Sequence, residues 1–387
     1  MKITSLHQIW KKVATLAIVF SMFSFNSVSE DESAAPRDDE SSQSIMLALL
    51  LDISNSMDGL IDQAKSQLWK IVNELSSAKC ADGRKPRIRI ALYEYGNDRL
   101  PMTEGYIRMV SPLTDDLDVI SEKLFGLTTN GGNEFCGHVI RTSLRQLDWS
   151  ESKADLKMIF IAGNEPFTQG EIPYAAACAL AKEKNVVINT IYCGAFQEGI
   201  GTEWKNGADF TGGTYMSIEQ NRRTVYIPSP YDDRIDALNE KLNNTYIYYG
   251  RQGESKKQLQ SSQDENAETY GKANKVERAI SKSSHAYKNS SWDLVDAAKD
   301  DEKVIDQTKE QDLPSEMKGM TIEQRKTYVK QKSIERSAIQ KEIQELSQKR
   351  QEFIVSKTPK EDNNAMLDGA MIKAIKEQAR FKNLSFK

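Results

Sequence analysis

An uninterrupted apolar segment at residues 45–51 restricts the fold of this 387-residue chain more than any other feature. Seven apolar residues in a row, ended by Asp52, are typical of a β-strand that is buried on both faces. Such a strand needs a covering layer on each side. An amphipathic helix is predicted directly after it, at residues 57–79.

The chain up to about residue 220 repeats this alternation. Apolar stretches predict further strands at 86–95, 105–110, 156–162, 186–193 and 214–218, and helices are predicted at 115–124, from about 134 to 147, and at 172–184. Alternating strands and helices indicate an α/β fold with a doubly wound, mainly parallel sheet and helices on both faces. Ligands bind such sheets beyond the carboxyl ends of the strands. The loops after residues 51, 127 and 161 are therefore expected to meet.

Residues 1–29 have the pattern of a secretory signal peptide. Three lysines precede an apolar run at 13–25, and Ser27 and Ser29 suit cleavage before Glu30. An uncleaved membrane anchor is the alternative, although this run is shorter than the ~20 residues that a spanning helix needs. We expect an exported, periplasmic or extracellular protein without a membrane span after cleavage, which would change the net charge from −4 to −7.

Composition excludes several functional classes. The net charge is −4, so nucleic acid is not an expected partner. The chain has three histidines, one of them in the predicted signal peptide, which argues against multi-histidine metal sites. It also has no CxxC pair, Walker-type phosphate loop or GxGxxG motif.

The predicted domain organisation has three parts after the signal peptide. An acidic, Ser-rich linker at 30–43 precedes the α/β domain at 44–220, and a charged helical region follows at 221–387. Helices are expected there at 231–244, 276–287, 292–307, 321–355 and 364–384.

The longest of these helices carries a coiled-coil-like seam formed by Ile339, Ile343, Leu346 and Phe353. The seam covers about two heptads, fewer than the three or four that indicate a coiled coil. We prefer an amphipathic helix docked on its neighbours, and a short coiled coil is the alternative.

The four cysteines are Cys80, Cys136, Cys178 and Cys193. An even number in an exported protein suggests disulfides, and four cysteines allow three pairings. Cys136 and Cys193 both follow predicted turns or strand ends at one edge of the sheet, which favours that pair. Four buried free thiols are the alternative.

A cluster of oxygen-bearing side chains follows the first strand. Asp52, Ser54 and Ser56 supply a carboxylate and two hydroxyls within one turn, before a helix begins. These are hard ligands suited to Mg²⁺, Mn²⁺ or Ca²⁺. The alternative is structural: Asp52 caps the turn and the helix, and the serines satisfy backbone groups.

A strand that ends in D-x-S-x-S inside a doubly wound sheet resembles the von Willebrand factor type A domain, in a divergent bacterial-type branch. In that family the motif forms part of the metal-ion-dependent adhesion site. Gly131-Gly132 and the Thr-Gly-Gly-Thr-Tyr sequence at 211–215 extend the resemblance, which covers about residues 44–220. The resemblance implies a divalent cation at Asp52, Ser54 and Ser56, and a partner that supplies a carboxylate.

Two departures from the family pattern imply an incomplete adhesion site. Asn133 stands where the family usually has Thr, and Gly163 stands where it usually has Asp. Asn133 is then a weaker metal ligand. Further candidates are Thr128, Thr129, Glu134, Asn164 and Glu165.

We therefore expect an exported protein-binding module that engages a protein or peptide ligand, with a possible dependence on a divalent cation. The first alternative is a metal-independent scaffold whose helical tail mediates assembly. A metal-dependent hydrolase is the second alternative. No residue has an assigned place as its general base, so we expect no enzymatic activity and name no catalytic residue.

Overall fold

The computed structural model describes residues 43–223, 226–357 and 366–386. These residues belong to one structural unit, Ser41–Lys387. The predicted signal peptide and all but the last residue of the predicted linker lie outside the described residues. Within the described ranges, no helix is long and apolar enough to cross a membrane.

A six-stranded sheet with the order β3-β2-β1-β4-β5-β6 lies at the centre of this unit. The strands are β1 Ser44–Asp52, β2 Arg87–Tyr95, β3 Ile107–Thr114, β4 Leu156–Gly163, β5 Val187–Tyr192 and β6 Tyr215–Ser217. Neighbouring strands are parallel except for β3, which runs antiparallel to β2 at one edge. The expected doubly wound, mainly parallel α/β fold is confirmed.

The central position of β1 follows from its apolar sequence. Every residue of β1 after Ser44 is buried. Alternate side chains enter two different apolar clusters: Leu47 and Leu49 belong to one, and Met46 and Ala48 to the other. Both faces of the sheet are therefore covered, as an uninterrupted apolar strand requires.

The helices are α1 Asp58–Ser77, α2 Leu117–Phe125, α3 Cys136–Gln146, α4 Tyr174–Glu183, α5 Phe196–Gly201, α6 Trp204–Asp209, α7 Asp232–Asn243, α8 Gly253–Thr269, α9 Lys272–Lys282, α10 Leu294–Asp300, α11 Lys303–Gln307, α12 Ile322–Lys357 and α13 Leu367–Arg380. Helices α3, α4 and α6 cover one face of the sheet, and α1, α2, α7, α9, α12 and α13 contribute to the core on the other. Helices α5, α6 and α8 were not expected from the sequence. Helix α8 has almost no apolar side chain, so hydrophobic periodicity could not reveal it.

The last helix, α13, returns to the sheet. It packs against α1, β4 and β5. The amides of Leu367 and Asp368 at its first turn donate to the side-chain oxygens of Gln63 and Gln67 on α1, at 3.0 and 2.8 Å. These bonds satisfy amides that a helix start leaves without partners. The division into 44–220 and 221–387 stays a prediction, since the two regions pack together in one unit.

Helix α12 is docked inside the chain. Ile339 and Ile343 are buried in the same core as α1 and α13, and Leu346 packs against that core. The helix contacts α7, α9, α10 and α11. This packing matches the docking on neighbouring helices that was preferred, and it buries the seam residues that a coiled-coil partner would need.

Arg336 lies on the same side of α12 and is completely buried. Its guanidinium donates to Asp293 at 2.6 Å, to Asp296 at 3.0 Å and to the carbonyl of Thr245 at 2.6 Å. It also lies 4.0 Å from the ring centre of Tyr246. The arginine in the apolar seam therefore has a full set of partners from other segments.

The expected Cys136–Cys193 disulfide is not formed. All four cysteines are buried free thiols. Cys136 belongs to the apolar cluster on one face of the sheet and Cys193 to the cluster on the other. The sequence indicated that both lie near strand ends, but it did not reveal that the sheet separates them.

Replacing Arg336 is expected to destabilise the protein strongly. Arg336→Met leaves the fully buried Asp293 without its cation, while Asp296 keeps its ion pair with Lys299, and such a loss typically costs about 3–5 kcal/mol. Arg234→Met is the matched control, because Arg234 forms an exposed ion pair with Glu342, and such pairs contribute about 0–1 kcal/mol. Urea unfolding measures both. Equal effects of the two substitutions would show that the buried cluster is not stabilised by Arg336.

Candidate functional site

Asp52 ends β1, and its side chain is fully buried at the carboxyl edge of the sheet. Its Oδ1 accepts a hydrogen bond of 2.7 Å from the amide of Ser54. Its Oδ2 is buried and has no hydrogen-bond partner among the described residues. If Asp52 only capped the turn, as in the structural alternative, its Oδ1 atom would have the expected hydrogen bond but its buried Oδ2 atom would have none.

Ser54, Ser56 and Asn164 continue the polar cluster. The hydroxyl oxygens of Ser54 and Ser56 are 3.2 Å apart, and the side-chain amide of Asn164 donates to Ser56 at 3.2 Å. The Oδ1 atom of Asn164 is buried and lacks a partner in the described part of the chain. The structure therefore brings three of the predicted ligands, Asp52, Ser54 and Ser56, together with the weaker candidate Asn164.

Glu134 supplies a second carboxyl group, one residue beyond the predicted ligand Asn133. Asn133 is exposed, whereas Glu134 is only 3% exposed and its carboxyl is within hydrogen-bond reach of Asp52. The Oε2 atom of Glu134 is also buried without a partner in the described ranges. A Cβ at Gly96 would lie 2.7 Å from Asp52 Oδ1 and 2.9 Å from Glu134 Cγ, so a residue without a side chain allows the two carboxyl groups to pack here.

Backbone hydrogen bonds place Glu134 over the end of β1. The amide of Asn130 donates to the carbonyl of Ile53 at 2.7 Å, and the amide of Gly132 donates to Gly96 at 3.1 Å. Gly131 has a positive φ of 89°, a conformation that favours glycine. The Gly131-Gly132 pair therefore marked the correct loop. The family pattern predicted a ligand at residue 133, whereas residue 134 is the one that lies beside Asp52.

The remaining weak candidates have other contacts. Thr129 donates to the carboxylate of Asp58, in the first turn of α1. Glu165 is half-buried, and its charge adds to the burial that raises the pKa of Glu134. It therefore lies close to the carboxyl pair.

Gly163 stands where the family usually has Asp, and the structure gives the steric reason. A Cβ at this position would lie 2.5 Å from Tyr95 Oη and 3.1 Å from Asp52 Oδ2. The hydroxyl of the buried Tyr95 donates to the carbonyl of Ala162 at 2.9 Å. Tyr95 thus occupies the space that a side chain at residue 163 would need.

The environment of the two carboxyl groups favours their neutral forms. Burial, followed by the charge of Glu134, raises the pKa of Asp52 well above its usual value. Burial also raises the pKa of Glu134. The thiols of Cys136 and Cys193 lie nearby, and burial followed by the charge of Asp52 raises the pKa of each. These thiols are therefore neutral at physiological pH and do not compensate a negative charge.

The cluster fits a divalent cation of the oxygen-preferring kind. Asp52 Oδ2, Glu134 Oε2 and Asn164 Oδ1 are acceptors without donors, which is unfavourable in a protein interior unless a cation, proton or water satisfies them. Carboxylate, amide and hydroxyl oxygens are ligands for Mg²⁺, Mn²⁺ and Ca²⁺. In the described part of the chain, no three His, Cys, Asp or Glu side chains form a metal-binding group. A cation at this cluster would therefore need the neutral hydroxyl and amide oxygens in addition to the two carboxyl groups.

Stability without a cation is expected to fall as the pH rises. The reference pKa values of Asp52 and Glu134 are 3.8 and 4.5, and both are raised in the folded protein. The folded state therefore holds a proton that the unfolded chain releases, so the unfolding free energy decreases from about pH 4 upward through the raised values. In the presence of chelator, Asp52→Asn should make the unfolding free energy less dependent on pH. Asp148→Asn is the control, because Asp148 is exposed, and it should leave that dependence unchanged. Urea unfolding across pH gives the result, and an unchanged slope in Asp52→Asn contradicts the assignment.

Introducing a carboxylate at residue 163, where the pattern that the sequence resembles has Asp, is expected to destabilise the fold. Gly163→Asp places a Cβ against the Tyr95 hydroxyl, and overpacking of this kind costs about 1–3 kcal/mol. In a Tyr95→Phe background the cost should be smaller, because the oxygen at 2.5 Å is gone. A double-mutant cycle by urea unfolding measures the coupling. Equal costs in both backgrounds would rule out Tyr95 as the steric cause.

No protein-family model matches this chain, and no curated protein matches it either. Among solved structures, it is similar to the conserved hypothetical protein BatB from Bacteroides thetaiotaomicron, with 15% identity over 45% of this chain and 90% of that one and a TM-score of 0.35. The SpRpn10 VWA domain has 18% identity over 45% and 87% of the two chains, with a TM-score of 0.34. Proximal thread matrix protein 1 from the mussel byssus, with a zinc-occupied MIDAS motif, has 14% identity over 46% and 42%, with a TM-score of 0.33. The strand order and the antiparallel edge strand, rather than these similarities, define the fold.

Proposed function

We propose that this chain, whose sheet has the architecture of a von Willebrand factor type A domain, binds another protein through a divalent cation at the carboxyl edge of that sheet. The ligands are Asp52, Ser54 and Ser56 with Glu134 and Asn164. Mg²⁺, Mn²⁺ and Ca²⁺ are the candidate ions. The proposal rests on one observation above all: three buried acceptor oxygens in this cluster have no donor among the described residues.

The chemistry of the ligand set supports a binding role. Two carboxyl groups with neutral oxygens leave the ion accessible to a further oxygen ligand, and Ser56 is exposed at the mouth of the site. A carboxylate from a partner protein would complete the coordination. The partner is therefore expected to present an Asp or Glu side chain.

No side chain in the site is assigned a catalytic role. His138 lies against Gly105, and the His285 ring contacts the carbonyl of Pro86, just before β2, at 3.3 Å. Pro86 is at the amino end of that strand, opposite the candidate site. We therefore propose binding rather than hydrolysis, and we propose export to the periplasm or cell exterior on the basis of the pattern at residues 1–29.

The scaffold alternative, in which the helical tail mediates assembly, has less support. The apolar seam of α12 is buried within the chain through Ile339 and Ile343. Helix α13 is likewise used to cover the sheet. The described helices thus direct much of their apolar surface inward.

Cation binding is expected to raise the thermal unfolding midpoint of the purified protein. At about 100 times its dissociation constant, an ion adds about 2.7 kcal/mol of stability. Asp52→Ala and Glu134→Gln should each abolish the shift caused by Mg²⁺, Mn²⁺ or Ca²⁺ relative to chelator. Asn133→Ala is the matched control and should keep it. The absence of a shift with every ion, or a shift that persists in Asp52→Ala, contradicts the proposed site.

The partner's carboxylate can be tested with acetyl-aspartate N-methylamide. This small molecule presents one acidic side chain and no other charge. It should raise the midpoint further in the presence of the ion and have no effect in chelator. An equal effect under both conditions would show that the acidic ligand does not bind through the cation.

A further inference from the structure

A polar cluster joins helices α7, α8 and α9 and shares no residue with the candidate cation site. Its centre is the carboxylate of Asp264 on α8. The Oδ2 atom of Asp264 accepts hydrogen bonds from the Nζ of Lys282, at 2.7 Å, and from the side-chain amide of Asn243, at 2.8 Å. The Nζ of Lys282 also donates to the Oδ1 atom of Asn243. An amine, a carboxamide and a carboxylate therefore contact one another in all three pairs.

The amine in this cluster is withdrawn from water. The side chain of Lys282 is completely buried at the end of α9. Burial lowers the pKa of Lys282 to about 8, although the charge of Asp264 opposes this effect. A fraction of Lys282 is therefore neutral at physiological pH, and a neutral lysine amine is a nucleophile. Lys257 donates to the backbone carbonyl of Asn243 and holds the end of α7 in place.

Asp264 is placed to carry a proton between the two nitrogen atoms. Burial alone would raise its pKa, but the charges of Lys282 and Arg278 hold that pKa below its usual value. Arg278 donates to Oδ1 at 2.9 Å, which leaves Oδ2 for Lys282 and Asn243. A carboxylate oxygen that contacts both a nucleophile and a leaving group can act as base towards the first and as acid towards the second.

We propose that Lys282 and Asn243 react to form an isopeptide bond within the chain, with Asp264 transferring the proton. The neutral Nζ of Lys282 forms a bond to the Cγ of Asn243, and the bond between Cγ and Nδ2 breaks. The proton that the amine gives up passes through Asp264 to Nδ2, which leaves as ammonia. The products are one side-chain amide and one ammonia molecule, so the reaction needs no oxidant, reductant or cofactor.

The geometry favours this reaction over the same reaction in solution. The Cγ of Asn243 is one bond away from the Oδ1 atom that Lys282 contacts, so the two reacting groups are already held together. The product also relieves an electrostatic strain, since Asp264 is shared by two buried cations, Lys282 and Arg278. Amide formation removes the charge of one of them.

The cross-link has a structural purpose. It joins the end of α7 to the end of α9 and encloses α8, the helix with almost no apolar side chain. A covalent bond between distant residues stabilises a fold by restricting the unfolded chain, as a disulfide does. The isopeptide bond would hold a helix that hydrophobic burial holds only weakly.

Mass spectrometry of the unaltered, full purified chain tests the proposal. Its intact mass should be lower, by one ammonia molecule, than the mass calculated from its observed amino terminus. Trypsin should release residues 242–251 linked to residues 279–288, because it does not cleave after an acylated lysine. Fragmentation of this pair should place the bond at Asn243. An unreduced mass, an ammonia loss without the linked pair, or a bond at Asn244 would overturn the proposal.

Three substitutions separate the roles of the residues. Asn243→Ala should show the unreduced mass, and Asp264→Asn should form the linked pair at least about tenfold more slowly. Asn239→Ala is the matched control, because Asn239 also donates to Asp264, at 3.2 Å, without a hydrogen bond to Lys282 in the described part of the chain. It should keep the linked pair. Equal linkage in Asp264→Asn and the unaltered protein would contradict the role of Asp264, and circular dichroism checks that each variant is folded.

Discussion

The burial of β1 on both faces is the constraint on which the rest of the structure depends. Its side chains supply both apolar clusters, so each face of the sheet needs helices. Helices α3 and α4 cover one face from within the α/β part of the chain. The other face requires α1 and also α13, which comes from the end of the chain. The same strand carries Asp52 into a buried position at its carboxyl end, where a negative charge is costly without a partner.

The charged composition of the C-terminal half has an internal role. Arg278 on α9 is completely buried, and it pairs with Asp118 on α2 at 2.7 Å and with Asp264 on α8 at 2.9 Å. Its guanidinium also lies 4.4 Å from the ring centre of Trp69 on α1. Arg336 has a comparable set of partners. Buried ion pairs are sensitive to geometry, and loss of one partner leaves an uncompensated charge. These arginines therefore connect α9 and α12 to acidic side chains of other segments, and a shift in helix docking would leave buried charges unpaired.

The candidate site departs from the family pattern in a coordinated way. Tyr95 takes the space beside Gly163, and Glu134 provides a carboxyl group from a different loop. Gly96 allows Glu134 to approach Asp52 without a steric conflict. The result is a pair of buried carboxyl groups with raised pKa values, next to hydroxyl and amide oxygens. This arrangement can be neutralised by a proton or by a cation, which links the electrostatics of the site to its proposed function.

The sequence by itself determined the elements whose signal is local. The apolar run of β1, most of the alternating strands and helices, and the polar side chains of Asp52, Ser54 and Ser56 after β1 depend on neighbouring residues, and their positions agree with the prediction. Only the tertiary structure decided that Glu134 rather than Asn133 faces Asp52, that Cys136 and Cys193 lie on opposite faces, and that α8 forms without an apolar pattern. Likewise, only the tertiary structure placed Arg336 next to Asp293 and Thr245, which are far from it in the sequence. These features depend on contacts between distant residues, and local periodicity carries no information about which distant side chains will meet.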